Sequence, residues 1–210
     1  MLKIGRITLG MYMTNCYFIH NEGSNEAIVI DPADSGDYIN QKLAENGLKT
    51  AAILLTHGHF DHIYGVDALR KATGCQVYGS GDEQLLLKDP DINSSVMVGR
   101  PVTVNLDRKL KGGDELDIAG IKLSVIATPG HTVGSVCYYV ESEGVLFAGD
   151  TMFQESVGRT DLPTGSSSQL IDSINDKIMC LPDETKVYPG HGEFTTIGHE
   201  RDYNPFAVGL

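Results

Sequence analysis

Short runs of apolar residues, either continuous or alternating with polar ones, predict most of the strands of this chain. Turn-forming residues separate the runs, and those at positions 22–25 indicate a hairpin between the second and third strands. The predicted strands are residues 2–8, 15–20, 26–30, 51–55, 76–78, 115–118, 121–127, 135–140, 145–147 and 186–188. A further brief strand is predicted at residues 102–104.

Apolar residues three or four positions apart predict helices between these strands. In one helix Ile63, Val66 and Leu69 share a face, and in another Ile39 and Leu43 do so. The predicted helices are residues 35–46, 62–74, 82–87, 167–181 and 195–202. Each half of the chain thus runs from strands through a helix into a strand, a histidine-bearing loop and another helix, which a duplicated αββα sandwich would explain.

Residues 88–113 form the least regular stretch, bounded by helix and strand breakers at Lys88–Asp91 and Gly112–Gly113. A loop of this length inside a compact domain is often functional. An irregular surface excursion explains the same composition equally well. The sequence therefore leaves two interpretations, a segment that overhangs a site or a surface loop without one.

The amino-acid composition is that of a globular domain. The 210 residues are 41% hydrophobic, and eight Pro and 24 Gly are spread along the chain without forming a linker, so we expect one domain over residues 1–210. No apolar run reaches the length of a signal peptide or a membrane span. No paired spacing is present among the cysteines, which are Cys16, Cys75, Cys137 and Cys180. These features predict a soluble, cytoplasmic protein with reduced thiols and no membrane partner.

The formal net charge of −12 argues against a nucleic-acid partner, because the phosphate backbone requires a basic patch. A small-molecule substrate is therefore the expectation. Either a monomer or a homodimer is compatible with the sequence.

The strongest chemical pattern lies in the segment Thr56–His62, whose ligand-type residues are His57, His59, Asp61 and His62. Imidazole nitrogens and carboxylate oxygens are ligands that borderline dications such as Zn²⁺ prefer. The segment lies between a predicted strand and a predicted helix, where a loop can be held rigidly. Asp61 alone could be the N-cap of that helix, but crowded imidazoles gain little unless a cation organises them. The segment is therefore predicted to be a metal site.

Three further segments each place one ligand-type residue directly after a predicted strand. These residues are His131, Asp150 and His191, and each lies beside a glycine that lets the backbone turn tightly. Ligands at strand ends converge on one edge of a sheet, where they can face the first loop. Singly each would be an ordinary loop residue, but together they place five of the seven histidines in strand-end loops and leave His20 and His199 outside.

In order and spacing, four segments resemble the metallo-β-lactamase superfamily: Thr56–His62, Pro129–Thr132, Gly149–Thr151 and Pro189–Gly192. The resemblance covers nearly the whole chain and implies an α/β protein with the four-layer αββα sandwich of the metallo-β-lactamase fold. Three more segments are similar to the small hydroxyacylglutathione hydrolase (glyoxalase II)-like members: Thr14–Tyr17, Gly158–Pro163 and Thr195–Glu200.

This resemblance implies a binuclear site for two divalent metal ions, with Zn expected first and Fe or Mn also compatible with the ligands. One metal would be bound by His57, His59 and His131. The other would be bound by Asp61, His62 and His191, and Asp150 would bridge the two. Such a set leaves open positions for a hydroxide and a substrate carbonyl, as a catalytic site requires. Asp31 is interpreted as support for these ligands rather than as one of them.

The resemblance also implies hydrolysis of thioesters such as S-lactoylglutathione by a metal-bound hydroxide, with Asp61 orienting the hydroxide or carrying its proton. Arg159 is a candidate for binding a substrate carboxylate and Phe153 for walling the pocket. Pairing of Arg159 with Asp161 is the simpler alternative. Nineteen residues follow His191, too few for the C-terminal helical segment of full-length glyoxalase II, so a broader or different thioester specificity is expected.

Other activities stay open at this point. A mononuclear iron persulfide dioxygenase would use His57, His131 and Asp150. A phosphodiesterase or nuclease of the same fold is disfavoured by the acidic charge, and a non-catalytic metal-binding module by the complete ligand set. A true β-lactamase is disfavoured because a bridging Asp150 fits the hydrolase branch better and because no export signal is visible.

Overall fold

A computed structural model describes residues 1–207 and arranges the strands in two six-stranded sheets. In the first sheet β1, β2 and β3 are antiparallel, and β3 to β6 are parallel. Its strands, in spatial order, are β1 (Leu2–Leu9), β2 (Thr14–Asn21), β3 (Glu26–Ile30), β4 (Lys49–Leu54), β5 (Gln76–Ser80) and β6 (Arg108–Leu110). The hairpin predicted around residues 22–25 is confirmed by the antiparallel pairing of β2 with β3.

The second sheet is mostly antiparallel, with one parallel pair, β10 and β13. Its strands, in spatial order, are β14 (Thr195–Thr196), β13 (Lys186–Pro189), β10 (Val145–Gly149), β9 (Val136–Val140), β8 (Ile121–Ala127) and β7 (Glu115–Ile118). A separate two-stranded ribbon, β11 (Met152–Phe153) with β12 (Ser156–Val157), follows β10.

Helices cover the outer faces of both sheets. They are α1 (Gly36–Glu45), α2 (Phe60–Ile63), α3 (Val66–Thr73), α4 (Gln84–Lys88), α5 (Ser167–Ser173) and α6 (Ile197–Tyr203). Short 3₁₀ turns occupy Gly81–Glu83, Ser95–Val98 and Glu141–Glu143. Ile39 and Leu43 of α1 and Leu69 of α3 are buried as predicted.

Three apolar clusters define the layers. The central one lies between the sheets and joins residues such as Ile19 and Leu54 of the first sheet to Tyr138 and Phe147 of the second. The second cluster packs α1 and α3 on the first sheet, and the third packs α5 and α6 on the second sheet. The predicted four-layer αββα sandwich is therefore confirmed, because each sheet buries both of its faces.

Several local predictions were wrong. Residues 102–104 form no strand, because the amide of Val102 donates to the hydroxyl of Ser95 and that of Val104 donates to the carbonyl of Leu87. The strand of this region is β6, further along the chain.

Two helix predictions also require correction. Asp61 is not an N-cap, since α2 begins at Phe60 with His59 in the capping position. The helix predicted at 167–181 is α-helical only to Ser173 and continues as a π-helical turn over Ile174–Ile178.

Among the described residues, no helix has both the length and the hydropathy needed to cross a bilayer.

Candidate metal centre

Each candidate ligand follows the carboxyl end of a strand, as the sequence predicts. The segment His57–His62 follows β4, and the single ligands His131, Asp150 and His191 follow β8, β10 and β13. The chain is tightly packed here, since a Cβ on Gly190 would contact the Asp150 carboxylate and the His62 ring. The four loops therefore meet at one edge of the sandwich, and every predicted ligand is brought to it.

His57, His59 and His131 form the first ligand group. Their candidate ligand atoms lie within 4.8 Å of one another, and all three side chains are buried. Burial lowers the pKa of His57 well below its usual value and that of His59 to about 3, and it also lowers the pKa of His131. These rings are therefore neutral near pH 7, which is the state that binds a metal.

Hydrogen bonds fix the orientation of two rings in this group. Nδ1 of His131 lies 2.7 Å from the Arg159 carbonyl oxygen and donates to it, so the lone pair is on Nε2. Nδ1 of His57 lies 3.1 Å from the hydroxyl of Thr56, whose own hydrogen is donated to Asp31 at 2.6 Å. The hydroxyl must then accept from His57, which again leaves the lone pair on Nε2.

Asp61, His62 and His191 form the second group, also within 4.8 Å of one another. Nδ1 of His62 donates to Asp31 at 2.9 Å, and Nδ1 of His191 donates to the Tyr12 carbonyl at 3.0 Å. The Nε2 atoms of both rings therefore face the carboxylates, with His191 Nε2 at 3.3 Å from Asp61 Oδ2.

Asp150 lies between the two groups. One carboxylate oxygen is 3.3 Å from Nε2 of His62, and the other is 3.6 Å from Nε2 of His131 and 3.5 Å from Nε2 of His191. Burial would raise the pKa of Asp150, but the surrounding imidazoles, His62 foremost, hold it well below its usual value. This carboxylate is thus ionised and within reach of both groups.

The electrostatics of the site favour a bound cation. Burial would lower the pKa of His62, yet Asp150, Asp61 and Asp31 together raise it well above its usual value. Nε2 of His57, Nε2 of His62 and Oδ1 of Asp150 are buried without a hydrogen-bond partner, which is costly unless something else coordinates them. A divalent metal would supply the positive charge that the carboxylates otherwise draw onto His62, and the buried imidazole nitrogens and carboxylate oxygens are donors that such a metal accepts.

The first strands of the chain hold the His191 loop in place. Asn15 donates its backbone amide to the Gly190 carbonyl at 2.7 Å and its side-chain amide to the Pro189 and Gly192 carbonyls. The hydroxyl of Tyr17 donates to Pro189 as well, at 2.7 Å. The Thr14–Tyr17 motif therefore positions the loop of the last ligand.

Glu83 is a site residue that the sequence analysis missed. Its side chain is buried, with 1% of the residue exposed, and accepts hydrogen bonds from the amides of Gly58 (2.9 Å) and Gly134 (2.8 Å). Burial raises its pKa, although these hydrogen bonds oppose the rise. The carboxylate thereby links the loop of His57 and His59 to the loop of His131. A Glu in a helix start carries no local signal of such a role.

Glu200 is a second buried carboxylate outside the ligand set. It accepts hydrogen bonds from the Thr195 hydroxyl, the Glu155 amide and the Asn204 side chain. The Thr195–Glu200 motif therefore ties α6 to the turn of the β11–β12 ribbon. It supports the wall of the site from behind.

An open cleft of about 440 Å³ lies over the ligands. Phe153 and Arg159 line it, with the Phe153 ring packed edge-on to His191 at 6.0 Å between centroids. Arg159 forms a bidentate ion pair with Asp161, at 2.7 and 2.8 Å. In this conformation its guanidinium pairs with Asp161, which is the alternative to binding a substrate carboxylate.

The irregular segment 88–113 contributes to the same cleft. Ser94, Met97 and Val98 line it, and the Asn93 carbonyl accepts from the amide of Phe60. Of the two interpretations of this segment, the structure supports the one in which it overhangs the site.

The remaining histidines take no part in these groups. His199 lies 3.0 Å from Glu155, and His20 lies 3.1 Å from the backbone carbonyl of Asn21. Neither histidine belongs to a metal-ligand group, as expected from the sequence.

Comparison with known proteins agrees with this geometry. The family model described as "Metallo-beta-lactamase superfamily" matches residues 9–191. Probable metallo-hydrolase YqgX of Bacillus subtilis is 40% identical, over 100% of this chain and 99% of that protein. Hydroxyacylglutathione hydrolase GloC of Haemophilus influenzae is 33% identical, over 98% of each chain.

Two solved structures are also similar over nearly their whole length. The BLEG-1 B3 metallo-beta-lactamase is 44% identical, with a TM-score of 0.94 over 99% of this chain and 100% of that one. TTHA1623 in a di-iron-bound form is 34% identical, with a TM-score of 0.87 over 96% of this chain and 99% of that one.

Proposed function

Because the chain belongs to the metallo-beta-lactamase superfamily, we propose that it is a metal-dependent hydrolase of thioesters. The observation that carries the proposal is the position of Asp150, whose two oxygens face the two ligand groups at 3.3 to 3.6 Å. That arrangement suits a pair of metals with a shared carboxylate, and the cleft above it gives a substrate access.

The proposed ligand sets follow the two groups. His57, His59 and His131 would hold one metal, Asp61, His62 and His191 would hold the other, and Asp150 would contribute to both. Zn²⁺ is the proposed metal, with Fe or Mn as alternatives that the same donors accept. When bound, the metals would bring the pKa of a coordinated water near neutrality and polarise a substrate carbonyl.

Asp61 has the role of orienting the attacking water rather than acting as a strong base. Burial alone would raise the pKa of Asp61. The neighbouring His62 and His191 outweigh burial and lower this pKa below its usual value, so the carboxylate stays ionised. The hydroxyl of Thr14 donates to Asp61 Oδ2 at 2.9 Å and fixes that oxygen. A carboxylate held in this way accepts a hydrogen bond from water and aligns it, but has little affinity for the proton.

Thioesters are the proposed substrates for two reasons. A relative that is 33% identical over 98% of each chain is named hydroxyacylglutathione hydrolase. A thiolate also leaves without protonation, so the reaction needs no general acid beside the ligands.

Thiol release from S-lactoylglutathione by protein loaded with two metals per chain tests this proposal. We expect release that Asp61→Ala and Asp150→Ala reduce by at least about a hundredfold, while Asp117→Ala on the exposed side of β7 leaves it unchanged. Absence of release from fully metallated protein, with this and a panel of other thioesters, would overturn the proposal.

Lactam hydrolysis is the second candidate, favoured by the similarity to the BLEG-1 B3 metallo-beta-lactamase. The same metal-loaded protein assayed with a chromogenic cephalosporin separates the two activities. A kcat/KM for the lactam that exceeds the value for every thioester would make lactams the substrate class. Iron content and oxygen uptake with a persulfide test the dioxygenase alternative in the same preparation.

A further inference from the structure

A side pocket of about 140 Å³ adjoins the metal cleft next to Asp61. Tyr12, Phe60, Asp61 and Val98 line both spaces, so the two lie side by side. The apolar part of its lining consists of Gly10, Met11, Ala33, Phe60, Tyr64 and Val98. A group attached to a carbonyl held at the ligands therefore lies next to this pocket.

The charged residues at the pocket rim neutralise one another. Arg100 pairs with Asp34 at 2.8 Å, and its guanidinium lies 4.2 Å from the centre of the Tyr64 ring. The Tyr64 hydroxyl donates to the Arg100 carbonyl at 2.8 Å. These contacts satisfy both charges and brace the wall, so Asp61, on the side of the metal cleft, is the one remaining charged residue of a lining that is otherwise mainly apolar.

Aromatic rings give the pocket a defined shape. Tyr12 packs edge-on to Phe60 with 5.2 Å between ring centroids, and Phe60 packs on Tyr64 at 5.6 Å. An apolar protein cavity of about 150 Å³ is known to hold a benzene molecule. The side pocket is thus of the size of a phenyl ring or a branched chain of about five carbons.

We propose that this pocket binds the acyl substituent of the substrate, and that the preferred acyl group is compact and apolar. The inference rests on the proposed thioester hydrolysis. The acyl group rather than the thiol is assigned here because the main cleft is the larger space, about 440 Å³, and has Ser94, Ser156 and Arg159 in its lining. That space suits a polar thiol carrier, whereas the smaller and mainly apolar side pocket does not.

A lactoyl group is small and carries a hydroxyl, so it leaves most of the pocket unfilled. Phenylacetyl and isovaleryl groups fill it and remove its apolar walls from water. S-lactoylglutathione should therefore be a poorer substrate than the phenylacetyl thioester of the same thiol.

The experiment measures kcat/KM for the acetyl, lactoyl, isovaleryl and phenylacetyl thioesters of glutathione. In the unmodified protein the phenylacetyl value should exceed the acetyl value about tenfold or more. Val98→Trp, which fills the pocket, should lower that ratio at least tenfold. Val96→Trp is the matched control, because Val96 is 46% exposed in the same 3₁₀ turn and lines neither space, and it should keep the ratio.

Binding of the free acids separates this inference from the proposed function. Calorimetry with metal-loaded protein compares phenylacetate with acetate in the unmodified protein and in Val98→Trp. One outcome is that no thioester is cleaved, while phenylacetate binds tenfold more tightly than acetate to the unmodified protein but not to Val98→Trp. This outcome upholds the pocket and overturns the thioesterase proposal. Thioesters cleaved with equal kcat/KM for all four acyl groups overturn the pocket and leave the thioesterase proposal intact.

Discussion

Nδ1 of His62 lies 2.9 Å from a carboxylate oxygen of Asp31, and both groups are buried. The same carboxylate accepts from the backbone amide and the hydroxyl of Thr56, at 2.8 and 2.6 Å. Asp31 thus sets the direction of His62 and, through Thr56, that of His57. It acts on one histidine of each ligand group without lying in the cleft itself.

Asp31→Asn should weaken metal binding rather than unfold the protein. An amide has one acceptor oxygen, so it satisfies only part of the contacts with His62 and Thr56, and loss of such support typically lowers metal affinity 10- to 100-fold. Competition with a chromophoric chelator measures that affinity.

Thr56→Ser, which keeps the hydroxyl, is the control and should retain most of the affinity. Unaltered metal binding in Asp31→Asn would mean that the ligands hold their orientation without Asp31.

Glu83→Gln should destabilise the protein and loosen the first ligand group. With one acceptor oxygen, Gln leaves the amide of either Gly58 or Gly134 buried and unpaired, at a cost of about 1–3 kcal/mol. Urea unfolding of the metal-free protein measures the loss.

Glu184→Gln, at an exposed position before β13, should change the free energy of unfolding little. Equal unfolding midpoints for the Glu83 and Glu184 variants would show that the Glu83 contacts contribute no net stability.

Gly190→Ala should remove the second metal. The added Cβ overlaps the Asp150 carboxylate and lies 2.7 Å from Cε1 of His62, so both side chains must move. A displacement of about 1 Å at a catalytic centre lowers rates by roughly a hundredfold. Metal content per chain, together with thiol release, detects the change.

Gly81→Ala is the matched control, since its Cβ would meet only ordinary contacts at 3.6 Å or more. Two metals per chain and full activity in Gly190→Ala would show that the loop relaxes around the methyl group.

The Arg159–Asp161 pair predicts a specific pH response. The hydrogen bond and charge of Arg159 lower the pKa of Asp161 from 3.8 to about 2. Because the folded-state pKa is depressed, the pair is intact above about pH 4 and is lost as the pH falls through about 2. Both side chains are exposed, so the effect on global stability is small.

Titration of the Asp161 carboxyl by NMR should give a pKa near 2, which returns toward 3.8 in Arg159→Gln. A value near 3.8 in the unmodified protein would mean that the pair does not persist in solution and that Arg159 is free to meet a substrate.

Much of the fold could be predicted because its strands and ligand loops have strong local patterns. The five-residue run Glu26–Ile30 was predicted with the bounds the structure shows. His57, His62, His131 and His191 lie together as expected because each follows a strand that ends at the same edge.

The errors arose where tertiary contacts override local pattern. Val102 and Val104 have strand-like side chains, but their amides are bonded to Ser95 and Leu87, so no neighbouring strand can pair with them. Glu83 could not be found from the sequence, because its partners are backbone amides 25 and 51 positions away. Sequence patterns report side-chain periodicity and do not report such distant backbone contacts.

The contact between Asn15 and the His191 loop also has a consequence for the order of folding. Asn15 and Pro189 are 174 positions apart, so most of the chain lies in the loop that this contact closes. Contacts of such sequence separation carry a large loop-closure cost and are associated with slow folding. The group of Asp61, His62 and His191 should then assemble late during refolding, after the loops of His57, His59 and His131 have met.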